Sequence, residues 1–261
     1  MLDHLKNLCT LYGVSGDERN IRNYILDQIK DKCECRIDNL GNVIAFKKGK
    51  KSSARKLMIA AHMDEVGMII THINNDGTLA FDVVGGINGD VIIGRQVYIY
   101  NRKINGIVSA RAVHNMSQDD RKKKITVSEL YIDIGAKDAK DASKVVSTGD
   151  YVSFISGYTQ IGSGFVCSKA IDDRAGCAVM LDIIDKHIDY DTYFVFTVQE
   201  EIGLRGACVA TYGICPDYAL VIETTTAADI SDVSGAKRVC ELGKGAVVSF
   251  MDKSTVYDRE M

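Results

Sequence analysis

The run Leu57–Ala61 is apolar at every position. That pattern suits a strand buried on both faces, as in sheets covered by helices on each side. Later in the chain Tyr193–Val198 and Tyr218–Ile222 also read as strands, and Ala175–Ile184 and Leu204–Tyr212 as helices. Strands alternating with helices argue for an α/β layer with parallel pairs. Near the N-terminus, Ser15-Gly16-Asp17-Glu18 has the form of a capping box, and Ile21, Ile25, Leu26 and Ile29 recur behind it at helical spacing. The first forty residues are therefore expected to be helical, with a strand over Asn42–Phe46 next.

Between about Thr71 and Tyr158 the pattern changes. Leu79–Val84, Gln96–Tyr100, Ile104–Ser109 and Tyr151–Ile155 are short β-rich runs separated by glycine and charged turns, and the basic run Arg121–Lys124 among them reads as a solvated loop. The middle of the chain is expected to be a second, β-rich domain (70–162) set between two parts of one α/β domain (1–69 and 163–261).

Hydrophobic residues at 46% and charged residues at 26% exclude wholesale disorder. A formal net charge of −3 leaves no basic footprint for nucleic acid and no strong attraction to an anionic membrane. No apolar run approaches the roughly 18 residues of a membrane-spanning helix, and Met-Leu-Asp-His-Leu-Lys lacks the order of a signal peptide. The eight cysteines are scattered, and Cys33-x-Cys35 has no answering pair, so they read as reduced thiols and the expected compartment is the cytoplasm.

The chemistry concentrates where strands end. Leu57–Ala61 runs into His62-Met63-Asp64, Tyr193–Val198 into Gln199-Glu200-Glu201, and Tyr218–Ile222 into Glu223; Asp172-Asp173 directly precedes a helix. Ligands of open α/β sheets bind in the crevice beyond the carboxyl ends of the strands, so these acids and one histidine can converge there. So many carboxylates together repel one another unless cations neutralise them, which points to divalent metal. His62 and Asp64 share a face of extended chain, so Asp64 can accept the second imidazole N–H and orient the ring. Of the pair Glu200-Glu201, one can bind metal while the other handles the proton of a water. One histidine with several carboxylates suits Zn²⁺, Co²⁺ or Mn²⁺ better than a thiolate site would. His4, His72, His114 and His187 lie outside these clusters.

Ala61-His62-Met63-Asp64-Glu65-Val66-Gly67, Ile171-Asp172-Asp173-Arg174-Ala175-Gly176, Gln199-Glu200-Glu201-Ile202-Gly203-Leu204-Arg205-Gly206-Ala207 and Glu223-Thr224-Thr225-Thr226-Ala227-Ala228-Asp229, with Gly243-Lys244-Gly245 after them, resemble the co-catalytic dinuclear metallo-aminopeptidases, which include the tetrahedral, glutamyl and deblocking enzymes. The resemblance runs in order along essentially the whole chain. It implies a zinc-peptidase-like α/β catalytic domain, with a mixed, mostly parallel sheet, interrupted by a small PDZ-like β-barrel that drives assembly of dimers into dodecamers. It implies two divalent ions per subunit, zinc or cobalt with manganese as a further option. His62 and Glu223 would hold one ion, Asp172 would bridge both, and Glu201 would hold the other. Glu200 would be the general base, Asp64 would support His62, and a cis peptide would join Asp172 to Asp173. The substrates implied are short peptides with a free N-terminus, attacked by a metal-activated water.

The family pattern continues several dozen residues past the position of Met261 and carries a second histidine ligand there, while no histidine follows Glu223 here. The alternative expectation is therefore a truncated, catalytically impaired homologue that acts as an assembly or peptide-binding subunit. A glucanase-type glycosidase, needing two carboxyls and no metal, is a further alternative.

Overall fold

The fold is a computed structural model describing residues 1–112 and 125–261, which form two compact units, Met1–Glu223 and Thr224–Met261. The first unit begins with helices α1 (Leu2–Thr10) and α2 (Arg19–Ile29), then strands β1 (Glu34–Ile37), β2 (Val43–Lys47), β3 (Leu57–His62), β4 (Gly67–Ile73) and β5 (Leu79–Val84). A short α3 (Gly89–Ile92), β6 (Gln96–Ile99), β7 (Ile104–Ala110), β8 (Leu130–Asp133), a short α4 (Ala139–Ala142) and β9 (Tyr151–Phe154) come next. The chain continues through β10 (Thr159–Ile161), β11 (Phe165–Cys167), α5 (Ile171–Ile184), β12 (Thr192–Thr197), α6 (Arg205–Ile214) and β13 (Tyr218–Val221).

The central sheet has the order β1-β2-β12-β3-β13. β12 and β13 flank β3 in parallel, whereas β2 is antiparallel to both its neighbours, so the sheet is mixed. Alternation along the strands explains the two layers. Ile59, Ala61, Phe194 and Phe196 point to one face and are buried with Leu5, Leu8, Ile21, Ile25, Ile29 and Met180 of α1, α2 and α5. Met58, Ala60 and Val195 point to the other, against Ala210 and Ile214 of α6. β3 is thus buried on both sides, as its unbroken apolar run requires.

Two sequence expectations are corrected by the fold. Residues 34–37 are not helical: β1 pairs with β2, and the turn between them is closed by Asp38, whose Oδ1 accepts the N–H groups of Leu40, Gly41 and Asn42, each at 3.0 Å. The cross-strand partner lies beyond the reach of any local helical pattern. Nor do Ser15 and Glu18 form a capping box. The N-cap of α2 is Glu18 and carries no side-chain cap, because the Ser15 hydroxyl donates to Asp64 and the Glu18 carboxylate is turned toward Gln199.

The β-rich middle closes into a six-stranded barrel, β4-β5-β8-β7-β6-β9, filled by residues such as Met68, Ile70, Phe81, Val97, Val108, Ile132 and Val152. The chain enters it directly from the segment just past the end of β3. At that junction Gly67 is needed for close approach: a Cβ there would lie 2.4 Å from a Val14 methyl and 2.8 Å from the Val152 carbonyl oxygen. The barrel also meets the α1–α2 loop, where the Tyr12 ring stacks on Tyr100 with centroids 5.6 Å apart and the Tyr100 hydroxyl donates to Asp17 at 3.2 Å. His114 and Arg121–Lys124 lie outside the described residues.

The second unit has one 3₁₀ turn (Gly235–Lys237) and a Met251–Val256 bridge, beside which Asp252 accepts the N–H groups of Ser254 and Thr255. Among the described residues no helix is long and apolar enough to cross a membrane.

Candidate active site

β3, β12 and β13 run parallel, so their carboxyl ends open along one edge of the sheet. His62 is the last residue of β3, paired in register with Thr197 of β12; Glu200 and Glu201 come after β12, and Glu223 lies two residues past β13. Asp172 arrives from the start of α5, where it and Asp173 depart from helical geometry and the peptide bond between them is cis. The sequence-predicted residues His62, Asp64, Asp172, Glu200, Glu201 and Glu223 therefore come together.

His62 Nε2 is the focus. It lies 2.9 Å from Asp172 Oδ1, 3.8 Å from Glu223 Oε2 and 3.9 Å from Glu200 Oε2. The other ring nitrogen, Nδ1, is 3.4 Å from Asp64 Oδ1, an ion-pair contact too long for a good hydrogen bond. His62 and Asp64 are buried, while the carboxylates of Asp172 and Glu223 reach solvent. Potential ligand atoms of His62, Asp172 and Glu223 all lie within 4.8 Å of one another, and so do those of His62, Glu200 and Glu201.

Asp64 does more than face the imidazole. Its two carboxylate oxygens accept the backbone N–H groups of Glu200 at 3.0 Å and Glu201 at 3.1 Å, and the Ser15 hydroxyl at 2.6 Å. This pins the turn after β12, whose first residue, Gln199, is left-handed (φ 56°). Asp173 has a supporting place: it accepts the N–H of Gly176 at 3.0 Å and of His62 at 3.3 Å. Gly176 must be a glycine here, since a Cβ would lie 2.6 Å from the Asp173 carboxylate and 2.7 Å from the Ile222 carbonyl oxygen, just before Glu223.

The charges crowd one another. Burial, then the charges of Asp172 and Glu200, push the Glu201 carboxyl up to about 7. Burial and then Glu223 push Asp173 up to about 8, and burial also raises Glu200. Burial opposes a charge on His62, but its contacts with Asp172 and Asp64 outweigh that and hold its pKa up at about 11. For Asp64 burial is again outweighed, by the His62 and Ser15 contacts, and its carboxyl stays below the ordinary range. An imidazole facing several carboxylates that raise one another's pKa values is a donor set that a divalent cation fits, relieving the repulsion. Among the described residues no thiol joins the ligand clusters: the buried Cys177 S–H is directed to the His62 carbonyl oxygen at 3.1 Å.

Sequence reasoning missed the layer beneath. Lys169 has an almost inaccessible side chain, donating to Glu65 Oε1 at 2.8 Å, Glu65 Oε2 at 2.9 Å and the Leu11 carbonyl at 2.6 Å. Arg174 donates to the Leu8 carbonyl at 2.7 Å and lies 3.7 Å from Glu65. Lys169 and Arg174 bracket the Asp172-Asp173 pair, and Glu65 comes directly after Asp64, so charged residues adjoining the site motifs were the available signal.

Residues 41–261 match the model of the M42 glutamyl aminopeptidase family. A candidate aminopeptidase of Acetivibrio thermocellus is 39% identical over 264 residues, covering 100% of this chain and 76% of that protein. The lysyl aminopeptidase of Pyrococcus furiosus is 34% identical over 94% of this chain and 71% of its own length. Among solved structures, the TET1 peptidase of Pyrococcus horikoshii, which can assemble into a tetrahedron or a large octahedral shell, superposes with a TM-score of 0.84 at 31% identity, over 99% of this chain and 78% of that one.

Proposed function

Because this chain belongs to the M42 glutamyl aminopeptidase family, its activity is that of an aminopeptidase, and we propose that it hydrolyses the first bond of peptides with a free N-terminus, using two divalent ions and Glu200 as general base. The observation carrying this reading is the convergence of Asp172, Glu223 and Glu200 on His62 Nε2, at 2.9, 3.8 and 3.9 Å. His62, Asp172 and Glu223 would hold one ion, and Asp172 with Glu201 the other. Divalent ions in such sites lower the pKa of a water toward ~7 and polarise a carbonyl.

The protein's own groups do the rest. Glu200 takes the proton of the attacking water on its carboxylate and returns it to the leaving amine; its burial raises its pKa, which brings it closer to the range a base at neutral pH needs. Asp64 holds Glu200 and Glu201 in place through their backbone N–H groups. The carboxylate-rich crevice as a whole would also receive the substrate's α-ammonium, which favours an exopeptidase. The barrel, inserted between β3 and α5, is suited to association, and we assign it to building homo-oligomers from dimers; the similar TET1 peptidase can itself assemble into a tetrahedron or a large octahedral shell. The cytoplasm is the proposed compartment.

Dialysis against a chelator should abolish cleavage of aminoacyl substrates, and Zn²⁺ or Co²⁺ should restore it. An Nα-acetylated peptide should resist while its free counterpart is cut. Cleavage indifferent to chelator would remove the metal reading; equal cleavage of the acetylated peptide would remove the exopeptidase, and chelator-resistant cleavage of a glucan with none of aminoacyl substrates would favour the glycosidase. Metal content separates the reading from an impaired subunit: two ions per chain against one or none.

A further inference from the structure

The segment Ser15–Glu18 plays no part in the proposed chemistry, yet its Ser15, Asp17 and Glu18 are buried, and Ser15 and Glu18 are engaged with the turn that carries Glu200 and Glu201. Ser15, Glu18 and Asp64 are 3%, 4% and 0% exposed, so their polar contacts form away from water and fix geometry. Glu18 Oε1 accepts two backbone N–H groups at once, Gly16 at 2.8 Å and Gln199 at 3.2 Å. Ser15 donates to the Asp64 oxygen, at 2.6 Å, that also accepts the Glu201 N–H at 3.1 Å. Three successive N–H groups, of Gln199, Glu200 and Glu201, thus end on carboxylates from two distant parts of the chain. The Gln199 bond falls on the left-handed residue (φ 56°) that turns the chain from β12 into the site. A non-glycine residue holds that conformation only where its surroundings over-determine it.

We propose that Glu18 is a positioning residue: with Ser15 it clamps the Gln199–Glu201 turn and so sets where the Glu200 and Glu201 carboxylates stand. This rests on the proposed roles of Glu200 and Glu201. Since Oε1 alone takes both bonds, a carboxamide oxygen can replace it, whereas an apolar side chain of the same size cannot.

The test compares Glu18→Gln with the near-isosteric Glu18→Met, measuring kcat and KM of the zinc-loaded protein, zinc affinity by competition with a chromophoric chelator, and melting temperature. Glu18→Gln should stay within about threefold of the parent in kcat and zinc affinity. Glu18→Met should lose at least tenfold in kcat with KM within about twofold, and should hold its more weakly bound zinc roughly tenfold less tightly. Should Glu18→Met fail to fold, Ser15→Ala carries the test, with a several-fold loss in the same two quantities. The clamp is overturned if the Met or Ala variant melts earlier yet keeps parental kcat and zinc affinity once loaded, or if Gln fails to rescue what Met loses. Glu200→Gln, measured alongside, keeps the two ideas apart: full turnover there refutes the general base, while the zinc affinities still judge the clamp.

Discussion

Glu200→Gln should keep its metal while turnover falls by roughly 10²–10⁴. The substitution leaves the backbone anchor intact, because the Glu200 N–H, not its side chain, is what Asp64 accepts at 3.0 Å. It also keeps the shape of the side chain. What it removes is the capacity to take a proton from water and hand it on. A ligand would behave differently: the variant would bind zinc more weakly, and added metal would recover part of the rate. Zinc content per chain, measured beside kcat, separates the two, and loss of metal would refute Glu200 as the base.

The second large effect is on stability. Lys169→Met should cost about 3–5 kcal/mol, because it strands Glu65 as a buried carboxylate whose ammonium partner is gone. Both side chains are almost inaccessible, 6% and 3% exposed, so water cannot replace the lost contacts at 2.8 and 2.9 Å. Arg174, 3.7 Å from Glu65, is already committed to the Leu8 carbonyl. In a unit of this size each kcal/mol moves the melting temperature by ~2–4 °C, so a loss of roughly 6–20 °C is expected by circular dichroism. Adding Glu65→Met should restore part of the loss by removing the orphaned charge; the Gly13 N–H that Glu65 accepts at 3.0 Å stays unpaired and limits the recovery. A single variant that melts within a degree or two of the parent would show that the pair contributes little.

The site was legible in the sequence because its residues stand where apolar runs stop. Leu57–Ala61 and Tyr193–Val198 read as buried strands, and residues just past the ends of neighbouring parallel strands share one edge of the sheet; the convergence of His62, Glu200, Glu201 and Glu223 needed no more than that. The barrel was legible as a change from helical spacing to short alternating runs. What could not be read was anything fixed by a distant partner. Glu34–Ile37 is a strand because Val43–Phe46 lies against it. Ser15 and Glu18 have the spacing of a capping box, and that local pattern is silent about Asp64, 49 residues on, and Gln199, 181 residues on, which claim both side chains instead. Lys169 and Glu65 meet across 104 residues. Asp173 read as a second acid of the crevice, and proved to hold up the end of β3 through the His62 N–H.

Calorimetric titration with zinc, at about pH 6 and about pH 8, beside the His62→Ala variant, tests the metal site most directly. A proton and the ion compete for His62 Nε2, whose pKa stands at about 11, so His62 carries its proton at both pH values and each ion using it must displace one. Raising the pH eases that displacement, and the Glu201 carboxyl, with a pKa of about 7, adds in the same direction across neutrality. A centre built on His62 predicts two ions per chain of unequal strength, the tighter at His62, Asp172 and Glu223. Its affinity should rise about tenfold per pH unit, with roughly one proton released, and fall at least tenfold in His62→Ala. Zinc binding that ignores both pH and the loss of His62 would contradict it.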